Sequence, residues 1–338
     1  SYAVLQATPH VMSREEGWKV IEEWANQWSE KFHEKKIPIK KLTYDANGGE
    51  EAGELAEKEY PACYPLAADK ASGKDDGSGF FINTKDYYIQ LGNGIYSMSD
   101  GTINRYLKAD GFAALDALGG NEADIVKSVD LQSDPSFRDK AYRLLDDKVK
   151  VKDAEKVAES YFEKGTPYPV SDGIKVKAYF ADVFRLGNRY GYALTLRREY
   201  QNIPFAAGRM DKIKYSEEQE DYKPQEDAIQ AYIADQSGVC AFTGNESQRE
   251  LHVLKNDIEE MLDIRGAADC MEEQLAQNLN VDVQKAGLVY CPMQSDEGQE
   301  FDKVCWQFVG MCTSNQREIC VYVDVLTGDI TYYTYTTE

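Results

Sequence analysis

The stretch from residue 153 to residue 205 reads DAEKVAESYFEKGTPYPVSDGIKVKAYFADVFRLGNRYGYALTLRREYQNIPF. Asp153 can cap a helix whose apolar residues recur at spacings of three and four, and Gly165 is placed to end it. Alternating apolar and polar residues predict a strand over 174–180 and a second over 190–200. The stretch therefore predicts a helix followed by an antiparallel hairpin. The residues predicted to line the buried face of the helix are Ala154, Val157, Ala158, Tyr161 and Phe162.

The same order of elements returns in the last third of the chain. Residues 228–233 and 239–242 read as two strands joined by a turn, and residues 247–277 read as a helix or a pair of helices. Further strands are predicted at 283–291, 304–311, 318–325 and 330–335. No exact sequence repeat accompanies this order, so it is a repeat of pattern alone.

The first half of the chain gives a weaker pattern. Ser13 and Glu16 form a capping box, and apolar residues at helical spacing then predict a helix to about residue 33. Residues 45–79 and 216–227 read as loops. Short strands are predicted at 80–83, 87–91 and 94–98. The segment from 111 to 147 is predicted to be mainly helical.

Helices followed by hairpins, with few β-α-β alternations, predict an α+β fold built from several modules of a helix and an antiparallel sheet. The chain has 338 residues, which is too long for one ordinary core. We predict an N-terminal α+β domain over 1–150, a helix-hairpin module over 151–227 and a C-terminal α+β module over 228–338.

The charge balance limits the classes of partner. Asp and Glu number 59 against 38 Lys and Arg, which gives a net charge of −21. Binding to nucleic acid, or to an anionic membrane surface, rests on basic residues, so both are predicted to be absent. No stretch approaches the ~20 apolar residues that span a bilayer. The acidic surface favours solubility or a cationic partner.

The seven cysteines give no metal or redox motif. Six of them follow residue 239, and no Cys-x-x-Cys is present. Several lie inside apolar strand patterns, where cysteine behaves as a small hydrophobic residue. Buried thiols are therefore favoured over a disulfide framework, although one oxidised pair stays open for an exported protein.

No catalytic, cofactor-binding or metal-binding residue is predicted. The chain has no Gly-x-Ser-x-Gly elbow, no His-Glu-x-x-His motif and no phosphate-binding glycine loop. A Cys–His pair that involves His10, His33 or His252 remains open, because its members need only be neighbours in space. Carboxylate pairs occur by chance among 59 acids, so they carry no specific support for a glycosidase.

Tyrosine is abundant, with 23 residues. Tyr332, Tyr333 and Tyr335 alternate in the last predicted strand, which places two rings on one face and one on the other. The rings either fill a half-buried strand or form a surface on which a sugar or peptide stacks.

Three segments carry a resemblance to known modules. Residues 192–205 (YALTLRREYQNIPF) resemble the strand and turn of PepSY-related modules, with Gln-Asn where those modules have Asn-Gly. Residues 228–242 (AIQAYIADQSGVCAF) resemble the hairpin found beside such modules. Residues 304–308 (VCWQF) with 321–330 (VYVDVLTGDI) are similar to the PepSY ending, whose Thr-Gly turn supplies a positive-φ position.

In this order the segments resemble a family of uncharacterised exported lipoproteins of Gram-positive gut bacteria, built from modules like those of PepSY and YycH/YycI proteins. The resemblance covers about residues 150–338. It implies PepSY-like modules over 151–227 and 228–338. It also implies a cell-surface protein outside the cytoplasm, held by a lipidated cysteine that lies outside this sequence. It implies no catalytic residues and no cofactor.

The sequence thus favours a non-catalytic protein that binds or regulates an envelope protein or peptide. One alternative is a carbohydrate-binding protein or a wall-associated hydrolase, motivated by the tyrosines and carboxylates. A second alternative is an inhibitor of a secreted protease. An exposed edge strand that can pair with a protease cleft would distinguish the second alternative.

Overall fold

A computed structural model describes part of the chain. The described residues are 3–9, 19, 23, 26–27, 30–31, 80–83, 88–92, 95–103, 124–163, 173–206, 228–245, 249–255, 260–275, 279–294 and 300–335. The predicted loops at 45–79 and 216–227 lie outside the described residues, as do the tryptophans of the predicted N-terminal helix. The described residues between 19 and 31 are helical, in agreement with that prediction.

Strand predominates over helix in the described residues. The strands in chain order are β1 (Val4–Pro9), β2 (Phe80–Asn83), β3 (Tyr88–Gly92), β4 (Ile95–Ser99), β5 (Ile125–Asp130), β6 (Ala141–Arg143), β7 (Lys148–Lys150), β8 (Ile174–Leu186), β9 (Arg189–Tyr200), β10 (Ile203–Pro204), β11 (Ala228–Ile233), β12 (Ala241–Asn245), β13 (Arg249–Lys255), β14 (Val281–Gln294), β15 (Glu300–Cys312), β16 (Arg317–Asp324) and β17 (Ile330–Tyr335). The two longer helices are α1 (Val151–Glu163) and α2 (Ile264–Gln274), and a short 3-10 helix spans Pro135–Asp139.

The larger sheet has nine strands among the described residues, in the order β2-β3-β4-β12-β11-β9-β8-β5, with β10 paired to β9. Neighbouring strands are antiparallel throughout. α1 packs against one face, in a buried cluster with Val176, Leu194 and Leu196. The predicted β8–β9 hairpin is confirmed, and Gly187 takes φ +62° in its turn, which suits glycine.

The smaller sheet has six strands in the part of the chain that is described, and β15 lies at its centre. β14 pairs along one side of β15, while β16 and β1 pair along the other side, one after the other. β17 continues from β16, and β13 continues from β1. α2 packs on one face, where Ala267 and Met271 meet Phe308, Val321 and Val323.

Both sheets contain the same succession of elements. α1 is followed by β8, β9, β11 and β12, which are neighbours in that order. α2 is followed by β14, β15, β16 and β17, which are also neighbours in that order. Each unit is a helix packed on a four-stranded antiparallel meander, although β10 and residues 205–227 lie between β9 and β11 in the first unit. The order of a helix followed by strands thus occurs twice, but β11 and β12, which the sequence assigned to the module over 228–338, lie in the unit that begins with α1.

A buried cluster joins the two sheets. The chain turns after β9 at Gln201 and Asn202, which have φ of 50° and 62° as a two-residue hairpin turn requires. Phe205 then stacks on the Tyr290 ring of β14, with the ring centroids 5.1 Å apart. The Ala206 N–H donates to the Tyr290 carbonyl at 2.6 Å. The segment that follows β10 thus binds one sheet to the other.

The prediction of a mainly helical segment over 111–147 is wrong for its described part. Residues 124–147 contain β5, the short 3-10 helix and β6. Ile125, Val126 and Val129 are β-branched and favour strand. β5 pairs with β8 and buries Val129 in the cluster beneath α1, so long-range pairing outweighs the polar composition of the segment.

The prediction of helix over 247–277 is correct for α2 and wrong for β13. β13 pairs along its length with β1, which lies about 245 residues away in sequence and was not predicted. A strand of this kind is stabilised by a distant partner, so the local pattern around Leu251 and Leu254 did not reveal it.

The buried face of α1 differs from the predicted face at two positions. Val157 is 40% exposed, whereas Glu155 is only 6% exposed. Arg138 in the short 3-10 helix explains the difference, because its Nε lies 2.9 Å from Glu155 Oε1. The ion pair lets a carboxylate occupy the place beside Ala154 and Ala158 that an apolar residue would otherwise fill.

We expect Arg138→Met to lower the free energy of unfolding by about 1–2 kcal/mol near pH 7.5, because Glu155 stays buried without its partner. Burial raises the pKa of Glu155 even in the presence of Arg138. A carboxyl with a raised pKa favours folding at low pH, and that contribution is lost as pH rises through the folded-state pKa. The pKa should rise further in the variant, so the loss should be smaller near pH 5.5.

Urea denaturation at both pH values checks this expectation. Lys152→Met is the matched control, since Lys152 pairs with Asp139 at an exposed site of the same helix and should change stability by less than about 0.5 kcal/mol. An equal loss for Arg138→Met at about pH 5.5 and pH 7.5 would show that Glu155 does not respond to its burial.

The structure therefore has mixed helix and strand content dominated by antiparallel sheet. The division into domains at 1–150, 151–227 and 228–338 stays a prediction about units that fold separately. The sheets themselves run across the boundary at 227, because β11 pairs with β9.

Candidate functional site

Three cysteines and two tyrosines meet on the face of the smaller sheet that points away from α2. Cys291, Cys305, Cys320, Tyr322 and Tyr333 share one buried cluster, and none of them is more than 4% exposed. The thiols of Cys291 and Cys305 are hydrogen bonded, and the hydroxyls of Tyr322 and Tyr333 lie 3.0 Å apart. Their polar groups thus bond to one another within the core.

Three of the described thiols, those of Cys240, Cys291 and Cys312, have surroundings that favour the protonated form. The hydrogen bond with Cys305, together with burial, raises the pKa of Cys291 well above its usual value. Burial also raises the pKa of Cys240 and of Cys312. The thiolate is the nucleophile and the metal ligand, so protonated thiols serve as packing groups. None of the six described cysteines is in a disulfide. Five of them are buried, in agreement with the prediction of buried thiols, Cys270 is half-buried, and Cys63 lies outside the described residues.

Histidine, metal and membrane features were sought in the same residues. His252 lies exposed on β13, while His10 and His33 lie outside the described residues. Within the described ranges, no three His, Cys, Asp or Glu side chains are grouped so that they could hold a metal ion. No helix in those ranges is long and apolar enough to cross a bilayer.

A buried carboxylate marks a contact between the N-terminal helical residues and the larger sheet. Lys31 Nζ donates to Asp100 Oδ2 at 2.5 Å and to Thr102 Oγ1 at 2.7 Å. Asp100 is 2% exposed, and burial raises its pKa while the Lys31 charge opposes the rise. Asp100 Oδ1 also accepts from the N–H and the hydroxyl of Thr102. Both carboxylate oxygens are therefore used in holding the fold together.

The residues singled out in the PepSY-like ending have structural roles. Asp324 Oδ1 accepts from the N–H groups of Leu326 and Thr327, at 2.8 and 3.3 Å. Gly328 takes φ +75° and packs against Cys270 of α2. This agrees with the turn role predicted for the segment.

The tyrosines of the last strand pack inside the protein. Tyr333 is 4% exposed and belongs to the thiol cluster. Tyr332 packs on the opposite face, against the cluster beneath α2. The alternation of these two rings follows the prediction, and Tyr335 has no described side chain. Tyr333 is thus occupied by core contacts and presents no open face to a ligand.

Among the described strands, β5 forms one edge of the larger sheet. It pairs with β8 on one side, and no other strand of the described residues pairs with it. Ile125 is 52% exposed and Val126 is 36% exposed, and the neighbouring Asp124, Lys127 and Ser128 are also exposed. An edge of this kind offers unpaired N–H and C=O groups to another strand.

The direction of the backbone groups on β5 follows from one hydrogen bond. The Leu131 N–H donates to the Tyr179 carbonyl of β8 at 2.9 Å. Hydrogen-bonding direction alternates along an antiparallel strand, so the N–H of Val129 also faces β8, whereas those of Ser128 and Asp130 face outward. Ser128 is therefore the exposed residue whose amide a partner strand would meet.

The end of β5 lies at the junction between the two sheets. Lys285 of β14 pairs with Asp130 at 3.0 Å and lies over the Phe180 ring of β8, 5.5 Å from its centroid. Burial acts to raise the pKa of Asp130, but the hydrogen bonds from Lys285 and from the Gln132 N–H outweigh it, and the pKa is lowered. This contact fixes the position of the edge relative to the smaller sheet.

No site residue was predicted from the sequence, so the β5 edge was missed. The available signal was the β-branched Ile125 and Val126 beside Val129, which favours strand over the predicted helix. Its position as the last strand of the sheet had no local signal, because it depends on pairing with β8, more than 40 residues later.

The chain was compared with known proteins. No protein-family profile and no curated protein matches the sequence. An uncharacterised protein from Eubacterium rectale ATCC 33656, solved at 1.45 Å, is similar in structure, with a TM-score of 0.52 and 10% identity over 99% of this chain and 86% of that chain. This likeness concerns the fold alone. The C-terminal domain of Bacillus megaterium YpeB gives a TM-score of 0.31 at 10% identity over 94% of this chain and 98% of that chain, which is too low to indicate a common fold.

Proposed function

We propose that the chain is a non-catalytic module of an extracytoplasmic, lipid-anchored surface protein, and that it binds an envelope protein or peptide by strand addition to β5. In this mode an extended segment of the partner continues the sheet, with main-chain hydrogen bonds for affinity and side-chain contacts for specificity. Residues 151–227 and 228–338 act as PepSY-like modules in this proposal.

The exposed edge of β5 is the observation that carries the proposal. Natural edge strands are usually covered or blunted, because an open edge invites pairing with other chains. β5 carries a bulge between Ile125 and Lys127, yet it keeps a regular pairing register from Lys127 to Asp130. Ile125 and Val126 add apolar surface that a partner strand can cover.

Two further features support a binding role. The thiols and phenols of the smaller sheet, and the carboxylate of Asp100, are buried and hydrogen bonded to neighbouring groups. The motif segments 192–205, 228–242, and 304–308 with 321–330 resemble modules of exported proteins that bind or regulate. The repeated helix and meander is the kind of unit that this resemblance leads one to expect.

Cell fractionation and chemical cross-linking of the native full-length protein test the proposal. We expect a membrane-fraction species that carries diacylglycerol on an N-terminal cysteine, and a reproducible envelope protein among its cross-linked products. A cytosolic species without lipid would contradict the location. A surface species with no reproducible partner in repeated cross-linking experiments would contradict the binding role.

The same edge also favours the second alternative, inhibition of a secreted protease, because a protease cleft can accept an extended strand. Secreted proteases from the same culture distinguish the two roles. Inhibition of a protease by an equimolar amount of this protein would assign the β5 edge to protease binding. If proteolysis is undiminished and the captured partner is not a protease, the protease-inhibitor alternative is excluded.

A further inference from the structure

We propose that the partner strand at β5 is supplied by a second copy of this chain, with the two β5 strands antiparallel about a twofold axis. This inference rests on the proposed function, because it names the occupant of the same edge. The edge sequence Asp124-Ile125-Val126-Lys127 is self-complementary. With the axis between Ile125 and Val126, Asp124 of each copy lies opposite Lys127 of the other, and Ile125 lies opposite Val126.

The bulge in β5 places the charged residues on one face. The Asp124 carbonyl accepts from the Arg185 N–H at 2.9 Å, and Lys127 lies opposite Val183. Arg185 and Val183 are two positions apart on β8 and share a face, so Asp124 and Lys127 share it too. Without a bulge, Asp124 and Lys127 are three residues apart and would lie on opposite faces of the sheet. The extra residue Val126 shifts the alternation by one position and brings both onto the same face. Both ion pairs of the dimer therefore form on the same side of the joined sheet.

The pairing covers the most exposed apolar residues of the edge. Ile125 and Val126 lose exposed surface to their counterparts. The surface area buried in this contact is small compared with the roughly 1,600 Å² buried in a typical stable interface. The dimer is therefore weak, and its population depends on concentration.

The charges of Asp124 and Lys127 specify the register in which the two β5 strands pair. Each chain carries a net charge of −21, which opposes the association of copies. At about 0.15 M salt the screening length is about 8 Å, so charges remote from the contact are damped more than pairs in contact. The reciprocal pairs of Asp124 with Lys127 remain and fix the alignment, and Asp124 is shared with Arg185 of its own chain, whose Nε lies 3.3 Å from Asp124 Oδ2.

Sedimentation velocity over a concentration series tests this inference, with a charge exchange at the edge. Asp124→Lys places a lysine opposite Lys127 of the other copy, and Lys127→Glu places a glutamate opposite Asp124. Each variant alone should associate at least about tenfold more weakly than the wild type. An equimolar mixture of the two variants should regain association, because every pair at the contact is again opposite in sign.

Asp282→Lys is the matched control, since it makes the same change of charge at an exposed residue of β14 and should not weaken association. Melting curves check that each variant is folded. A wild-type chain that stays monomeric at all concentrations, or single variants that associate like the wild type, would overturn the inference. If the chain is monomeric but still captures an envelope partner, the pairing of two β5 strands is excluded, whereas the proposed binding function is retained.

Discussion

Replacing Gly310 with alanine should lower the free energy of unfolding by about 3 kcal/mol, because the added methyl group overpacks a strand contact. A Cβ at Gly310 would lie 2.2 Å from the Asp282 carbonyl oxygen and 3.0 Å from Val283 Cα. These are backbone atoms of the paired strand β14, so they cannot rotate away as a side chain would. The strands would have to separate where β14 already carries a bulge between Val283 and Lys285.

Gly287→Ala provides the matched control on the facing strand. No atom lies within 4 Å of a Cβ built at Gly287. Alanine there should be neutral or should stabilise by up to about 1 kcal/mol, since it restricts the unfolded chain. Chemical denaturation of both variants measures the difference. Equal stabilities for the Gly310 and Gly287 variants would show that the β14–β15 pairing differs from the one described.

Much of the fold followed from local pattern. The alternation of apolar and polar residues over 174–180 and 190–200 predicted the β8–β9 hairpin, and the predicted last strand, 330–335, coincides with β17. The order of a helix followed by strands was also predicted twice, although β11 and β12 were assigned to the module over 228–338 and lie in the sheet on which α1 packs. These elements carry their own periodicity and turn residues, which a sequence reveals directly.

The errors occurred where a distant partner decides the local structure. β1 and β13 pair with each other although most of the chain lies between them, and β5 is a strand because it pairs with β8. Glu155 is buried because Arg138 reaches it, although its position in the helix pattern looks polar. Pairing and burial of this kind depend on the folded topology, which local propensity does not contain.

The candidate site could not be predicted from the sequence, because it also depends on the folded topology. An edge is defined by the absence of a neighbouring strand, and no residue type signals it. The residues that drew attention in the sequence, such as Cys291, Cys305 and Tyr333, are core residues in the structure. The apolar pair Ile125 and Val126 became informative only when the sheet order placed β5 at the edge of the described strands.

Ser128→Pro should abolish strand addition at β5 while leaving the fold intact. The Ser128 N–H faces away from β8, so proline removes the donor that a partner needs without breaking the bonds to β8. The proline ring also fills the space that the partner strand would occupy. We expect capture of the partner to fall by about 100-fold or more, and stability to change by less than about 1 kcal/mol.

Ser128→Ala keeps the N–H and removes only the hydroxyl, so it is the control for loss of the side chain. The most direct test of the binding edge is a comparison of the wild type, Ser128→Pro and Ser128→Ala in capture of cross-linked partners from intact envelopes. A partner that is recovered by the wild type and Ser128→Ala, and lost with Ser128→Pro, is the predicted result. Equal recovery of the same partner by all three proteins would contradict binding at β5.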